Sequence, residues 1–142
     1  MQSDNDHEYA YIGWLEDFSN DDVSQVGGKN ASLGEMLSAL KSKGVRVPEG
    51  FATTAGAYRR FLDVNELVDK ITDQLNDLAD DRSNLDKIGE SIRKTIEAAE
   101  FPDDVASEVK QAYADLSRRY NTRNLSVAVR SSATAEDLPG AS

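Results

Sequence analysis

A mainly helical α+β fold is expected from three observations in this 142-residue chain. Leucine, isoleucine and valine recur at three- and four-residue spacing through four long stretches, the period of a helix buried along one face. The runs that suit strands are few and short: Tyr9 to Leu15, Gly50 to Thr53, and Leu125 to Val129. Hydrophobic residues make up 39% and charged residues 30%, a balance that builds one modest core rather than a disordered chain.

The elements follow in order. Residues 1–8 are acidic and lack an apolar block, so they read as a disordered tail and not a secretory signal. Tyr9 to Leu15 suits a short strand, with Glu16 to Asn20 as a polar turn. The first helix is expected from Lys29 to Lys43, on the spacing of Leu33, Leu37 and Leu40. Gly44 stops it, and Lys41 and Lys43 suit the negative end of its dipole. Pro48 pushes Val47 out of helical conformation. A second strand at Gly50 to Thr53 leads into a short helix from Thr54, its candidate N-cap, to Leu62.

Three amphipathic helices come next. Val64, Leu67, Val68, Ile71, Leu75 and Leu78 mark the first. Leu85, Ile88, Ile92 and Ile96 mark the second, with Ser83 or Asn84 as cap. Val105, Val109, Ala112, Leu116 and Tyr120 mark the third, with Pro102 near its first turn and Asp103 and Asp104 at its positive end. Leu125 to Val129 is the last expected strand. Leu37, Leu40, Phe61, Leu67, Ile71, Ile92, Val109 and Leu116 form the expected core.

Composition limits function. The formal charge is −10 and the isoelectric point about 4.5, which argues against nucleic acid or an anionic membrane as partner. No run approaches the roughly 18 apolar residues of a membrane span. With no cysteine, disulfides and thiolate metal sites are excluded, a pattern that fits the cytoplasm. His7, the only histidine, lies in the tail, so no zinc site and no nucleophile–histidine pair is expected.

Three segments could carry chemistry, each against a plainer structural reading; for the first that reading is an ordinary loop with a surface lysine. In Val26-Gly27-Gly28-Lys29, the glycines allow close backbone approach, and the following helix opens with a positive dipole end, a ready anion site. A lysine in a first turn is unfavourable for the helix itself, and an anionic partner would explain it. The spacing is not that of a Walker A loop. In Val127-Ala128-Val129-Arg130-Ser131-Ser132-Ala133-Thr134, an alternating run delivers a planar, permanently charged fork into a loop of hydroxyl donors, a pattern suited to phosphate oxygens. Glu136 and Asp137 offer Arg130 a structural salt bridge instead. A third segment, Val47 to Thr54, reads as a turn and strand that could shape a pocket wall.

In this order, Val26 to Met36, Val47 to Thr54, Phe61-Leu62 and Val127 to Pro139 resemble the phosphoenolpyruvate synthase and pyruvate phosphate dikinase family. The likeness covers nearly the whole chain. It implies an N-terminal subdomain of an ATP-grasp-like domain, over residues 9–142 and truncated at the C-terminus. It further implies an enzyme, a phosphotransferase converting ATP, pyruvate and water to AMP, phosphoenolpyruvate and phosphate through a phosphohistidine. Carried over by position, Lys29 and Arg130 are implied contacts to the ATP phosphates, supported by Gly27, Gly28, Ser131, Ser132 and Thr134. No catalytic residue is expected within this chain. The phosphohistidine, the pyruvate site and the Mg2+ ligands are implied to lie beyond Ser142, in domains that would be this chain's partners, and His7 does not match the phosphohistidine motif. Gly140 departs from the family's acidic or polar residue there. The same piece of a pyruvate phosphate dikinase or of an antibiotic phosphotransferase remains an alternative, as does a stand-alone helical binding module without catalysis.

Overall fold

The computed structural model describes residues 10–135. The expected tail, Tyr9 and His7, and the pairing of Arg130 with Glu136 or Asp137, lie outside the described residues. Two compact units divide the described residues: 10–57 with 104–135, and 58–103.

The first unit is organised by a two-strand ribbon, β1 (Ile12–Trp14) and β2 (Phe51–Thr53), paired antiparallel with Gly13 opposite Ala52. Trp14 meets Phe51 edge-on, with ring centroids 5.7 Å apart. Ser19 then builds a capping box with Asp22, accepting from the Asp21 N–H while Asp22 accepts from the Ser19 N–H. That box starts a 3-10 turn over Asn20–Asp22, which passes into α1 (Val23–Val26) and, after Gly27, α2 (Gly28–Lys41).

Phe18, Val26, Ala31 and Ala52 make a buried cluster here, with Leu15 and Val23 against it. α2 approaches the preceding chain closely because Gly34 has no side chain. A β-carbon there would stand 2.5 Å from the Phe18 carbonyl oxygen and 2.7 Å from that of Leu15. α3 (Ala55–Val64) opens on Thr54 as expected, whose buried hydroxyl accepts from the Ala57 N–H and donates to the Ala10 carbonyl.

α6 (Asp103–Arg119) buries Val105, Ala112, Leu116 and Ser117. At its end the Arg119 guanidinium lies 3.9 Å from the centre of the Trp14 ring and reaches Glu16 at 3.1 Å and Glu49 at 3.6 Å. Tyr120 accepts from the Glu49 N–H, and Lys41 adds a second cation 3.4 Å from Glu16. Partial burial would raise the Glu16 pKa, but hydrogen bonds and charge from Arg119 and Lys41 outweigh it, and the pKa falls below the ordinary glutamate value. A depressed folded-state pKa means stability that is full above the ordinary value and lost as pH falls through the lowered one. Thermal melts of the unmodified chain and Glu16→Gln should therefore differ at pH 6 and converge toward pH 3. A constant gap across that range would rule the linkage out.

In the second unit, α4 (Leu67–Asn76) packs against α5 (Leu85–Glu97). Leu67 is 1% exposed, and Ile71, Ile88 and Ile92 are half-buried. Gln74 donates to the Thr95 hydroxyl at 2.7 Å. Asn84 sits at the expected cap position, but its side chain does different work. It accepts from the Ala79 N–H and donates to the Asp77 carbonyl, clipping the turn between the helices. Asn65 likewise holds Glu100 through both its N–H and its carbonyl.

The mainly helical α+β expectation agrees with this structure: six helices and one two-strand sheet among the described residues. Of the eight expected core residues, Leu37, Leu67 and Leu116 are buried and the other five half-buried. Three local expectations need correction. The helix expected from Val64 starts only at Leu67, because Glu66 adopts a left-handed backbone (φ 52°) and separates α3 from α4. Glu16 to Asn20 is not a plain turn: Glu16 and Asp17 belong to a 3-10 helix over Leu15–Asp17, and Asn20 opens the 3-10 turn that follows. Leu125 to Val129 forms no strand, since alternation supplies the side chains but a strand also requires a hydrogen-bonded neighbour, and no other described strand lies beside it.

Candidate functional site

Gly27 is the corner of the first loop. Its N–H closes α1 onto the Val23 carbonyl at 2.9 Å, and its own carbonyl accepts the Ala31 N–H at 3.0 Å, starting α2. It does so with φ 81° and ψ 161°, a conformation that side-chain-bearing residues rarely adopt. Gly27 and Gly28 are both buried, and Lys29 is half-buried as the second residue of α2. The first turn of α2 holds no acidic residue, so the positive end of its dipole is not neutralised from within that turn. An α-helix leaves its first-turn N–H groups without intrahelical partners, which is the physical basis for anion binding at such an end.

The second loop is anchored by α6. Tyr113 donates its hydroxyl to the Leu125 carbonyl at 2.8 Å, and the Leu125 N–H reaches the Ser117 hydroxyl at 3.4 Å. From there the chain runs past exposed Arg130 and Ser131 to half-buried Ser132, with Thr134 exposed beyond.

Ser132 is where the loops meet. Its hydroxyl donates to the Val26 carbonyl at 3.2 Å, across 106 residues of sequence. A β-carbon on Gly27 would stand 2.2 Å from the Ser132 hydroxyl oxygen and 3.0 Å from the Ala133 carbonyl oxygen. Lys29 lies two residues after Gly27 and Arg130 two residues before Ser132. Chain reach alone then holds their α-carbons within about 20 Å of one another. The contact itself joins Gly27 and Ser132, and Gly28, Lys29, Arg130, Ser131 and Thr134 each lie within two residues of it along the chain.

Sequence reasoning missed Asn30. Its side-chain amide donates to the same Val26 carbonyl at 2.8 Å, so that oxygen receives two donors. The available signal was an asparagine four residues after the carbonyl it serves, near a helix start. The Val47 to Thr54 segment contributes β2 and the loop contacts of Gly50 and Glu49. An open depression of about 490 Å³ is lined by Glu16, Asp17, Leu37, Ser38, Lys41 and Ser42, none of which belongs to either loop. Among the described residues no group of three or more histidine, aspartate or glutamate side chains is placed to hold a metal, and no helix is long and apolar enough to cross a membrane.

What these features define is a helical domain in which a glycine corner and a hydroxyl-rich arginine loop, far apart in sequence, are held in contact. Residues 23–142 match the family described as pyruvate phosphate dikinase, AMP/ATP-binding domain, and the chain belongs to that family. It is 46% identical over 138 residues to phosphoenolpyruvate synthase of Aquifex aeolicus, covering 96% of this chain and 16% of that protein. It is 50% identical over 133 residues to the phosphoenolpyruvate synthase of Neisseria meningitidis and 53% identical over 133 residues to that of Pseudomonas aeruginosa, in each case covering 93% of this chain and 17% of the relative. The chain thus spans about a sixth of the length of these curated relatives.

Proposed function

We propose that this chain is the N-terminal part of the ATP-binding domain of a phosphoenolpyruvate synthase, with an ATP-grasp-like fold over residues 9–142. The observation that carries the reading is identity of 46–53% to enzymes of that name along almost the whole chain. Those names favour the synthase over the dikinase that gives the family its description. The complete enzyme would convert ATP, pyruvate and water to AMP, phosphoenolpyruvate and phosphate, a cytoplasmic reaction suited to gluconeogenesis, with Mg2+ held by residues outside this chain.

Within it, Lys29 and Arg130 serve the ATP phosphates. Lys29 is a point charge beside the positive end of α2, and Arg130 offers a planar fork that matches two phosphate oxygens. Gly28, the backbone around it, and the hydroxyls of Ser131 and Thr134 supply neutral donors. Their joint effect is to position the triphosphate and stabilise charge on the phosphoryl group in transfer. The contact between Gly27 and Ser132 supports this reading, because it brings together two loops that each suit an anion.

Calorimetric titration of the chain with MgATP tests it. Binding is expected to be weak, because this piece offers few walls to bury the adenine, and no pyruvate should be converted. Lys29→Ala and Arg130→Ala should each weaken binding about tenfold or more. Undiminished binding in both variants would remove these residues from the phosphate site.

A further inference from the structure

The Ser132 hydroxyl has one proton to donate, and it is directed at the Val26 carbonyl. An oxygen in that state can still accept hydrogen bonds, but the ionised oxygens that make up most of a phosphate chain's surface are acceptors only. Ser132 is therefore ill-suited to contact an anion, unlike the exposed hydroxyls of Ser131 and Thr134 beside it. Its side chain also fills the space that a β-carbon on Gly27 would take, with the Ala133 backbone pressed in behind it. Glycine at 27 is thus required twice, once by its backbone angles and once by the approach of Ser132.

We propose that Ser132 is a positioning residue, a latch that fastens the arginine loop to the Gly27 corner at the head of α2 and so sets the spacing between Arg130 and Lys29. Its consequence for nucleotide rests on the phosphate reading of those two loops, but the latch itself is a property of the ligand-free chain. Removing the hydroxyl does not orphan the Val26 carbonyl, which keeps its bond from Asn30. Ser132→Ala should therefore fold while losing the tie between the loops.

The experiment is amide hydrogen exchange on the 142-residue chain without ligand, followed by titration with inorganic tripolyphosphate. In Ser132→Ala, exchange at the Gly27 and Ala31 amides should rise about threefold to tenfold, with Leu37 in the middle of α2 unchanged. Ser132→Thr keeps the hydroxyl and should restore protection at both amides. Tripolyphosphate affinity should fall in Ser132→Ala and return in Ser132→Thr. Unchanged exchange at Gly27 and Ala31 overturns the latch, and a loss of tripolyphosphate binding alongside it would make Ser132 a direct ligand instead. If Ser132→Ala also loses protection at Leu37, the unmodified chain decides: nuclear Overhauser contacts between the Ser132 β-protons and the Gly27 α-protons support the latch, and their absence overturns it. Failure of tripolyphosphate to bind the unmodified chain would count against the phosphate reading alone, because the exchange result is obtained without ligand.

Discussion

Lys29→Ala or Arg130→Ala, made in a full-length phosphoenolpyruvate synthase carrying this segment, is expected to slow histidine phosphorylation by ATP tenfold to hundredfold. The estimate comes from losing one charge-assisted contact to a phosphate, about 1.5–3 kcal/mol, each 1.4 kcal/mol being about a factor of ten in rate. Transfer from phosphoenolpyruvate to the same histidine should remain nearly intact. The reason is spatial: on the proposed reading both cations serve the nucleotide, while the second half-reaction would take place at another site. Rapid-quench measurement of each half-reaction separates the cases. Equal damage to both would mean that Lys29 and Arg130 act through folding or domain docking, not on ATP.

Gly34→Ala is expected to destabilise the first unit markedly. Two effects compete. Alanine in a helix interior gains roughly 0.5–1 kcal/mol over glycine. Against that, the added carbon would stand 2.5 Å and 2.7 Å from two backbone carbonyl oxygens and 2.6 Å from the Phe18 β-carbon. Backbone cannot swing aside as a side-chain tip can, so α2 or the Leu15–Phe18 segment must shift. Phe18, which is 2% exposed, sits in the cluster that would be disturbed. Overpacking typically costs 1–3 kcal/mol, and contact with backbone places this case at the upper end. The melting temperature should drop by about 5–10 °C. A variant melting above the unmodified chain would show that propensity wins and that this close approach does not bind the unit together.

Most of the helices were legible because their signal is local and repeated. Leu33, Leu37 and Leu40 located α2, and the isoleucine and valine stripes located α4, α5 and α6. α1 escaped because four residues are too few to show a period; its only trace was Ser19 followed three residues later by Asp22, the spacing of a capping box. The break at Glu66 was hidden for the opposite reason, since the apolar stripe runs straight through it. Leu125 to Val129 shows the limit of alternation as a sign of a strand, because pairing depends on another segment.

The candidate site divides the same way. A glycine pair before a helix and an arginine before hydroxyls can each be read from adjacent residues. That Ser132 packs on Gly27 cannot, since no local pattern encodes contact across a hundred residues. The cluster of Arg119, Trp14, Glu16 and Glu49 was invisible on the same grounds, being drawn from three separate stretches of chain.

The Leu125 to Val129 run also has a colloidal consequence. It presents Val127 and Val129, the latter 90% exposed, on backbone that joins no ladder among the described residues. Such a segment is a template on which a neighbouring molecule's backbone can dock. Mutual repulsion between chains carrying a charge of −10 holds copies apart. That protection is electrostatic and so conditional: added salt shortens its range, and near pH 4.5 it vanishes. Shelf life in concentrated solution thus depends on buffer composition, with dilute neutral buffer the safest and mildly acidic brine the most hazardous.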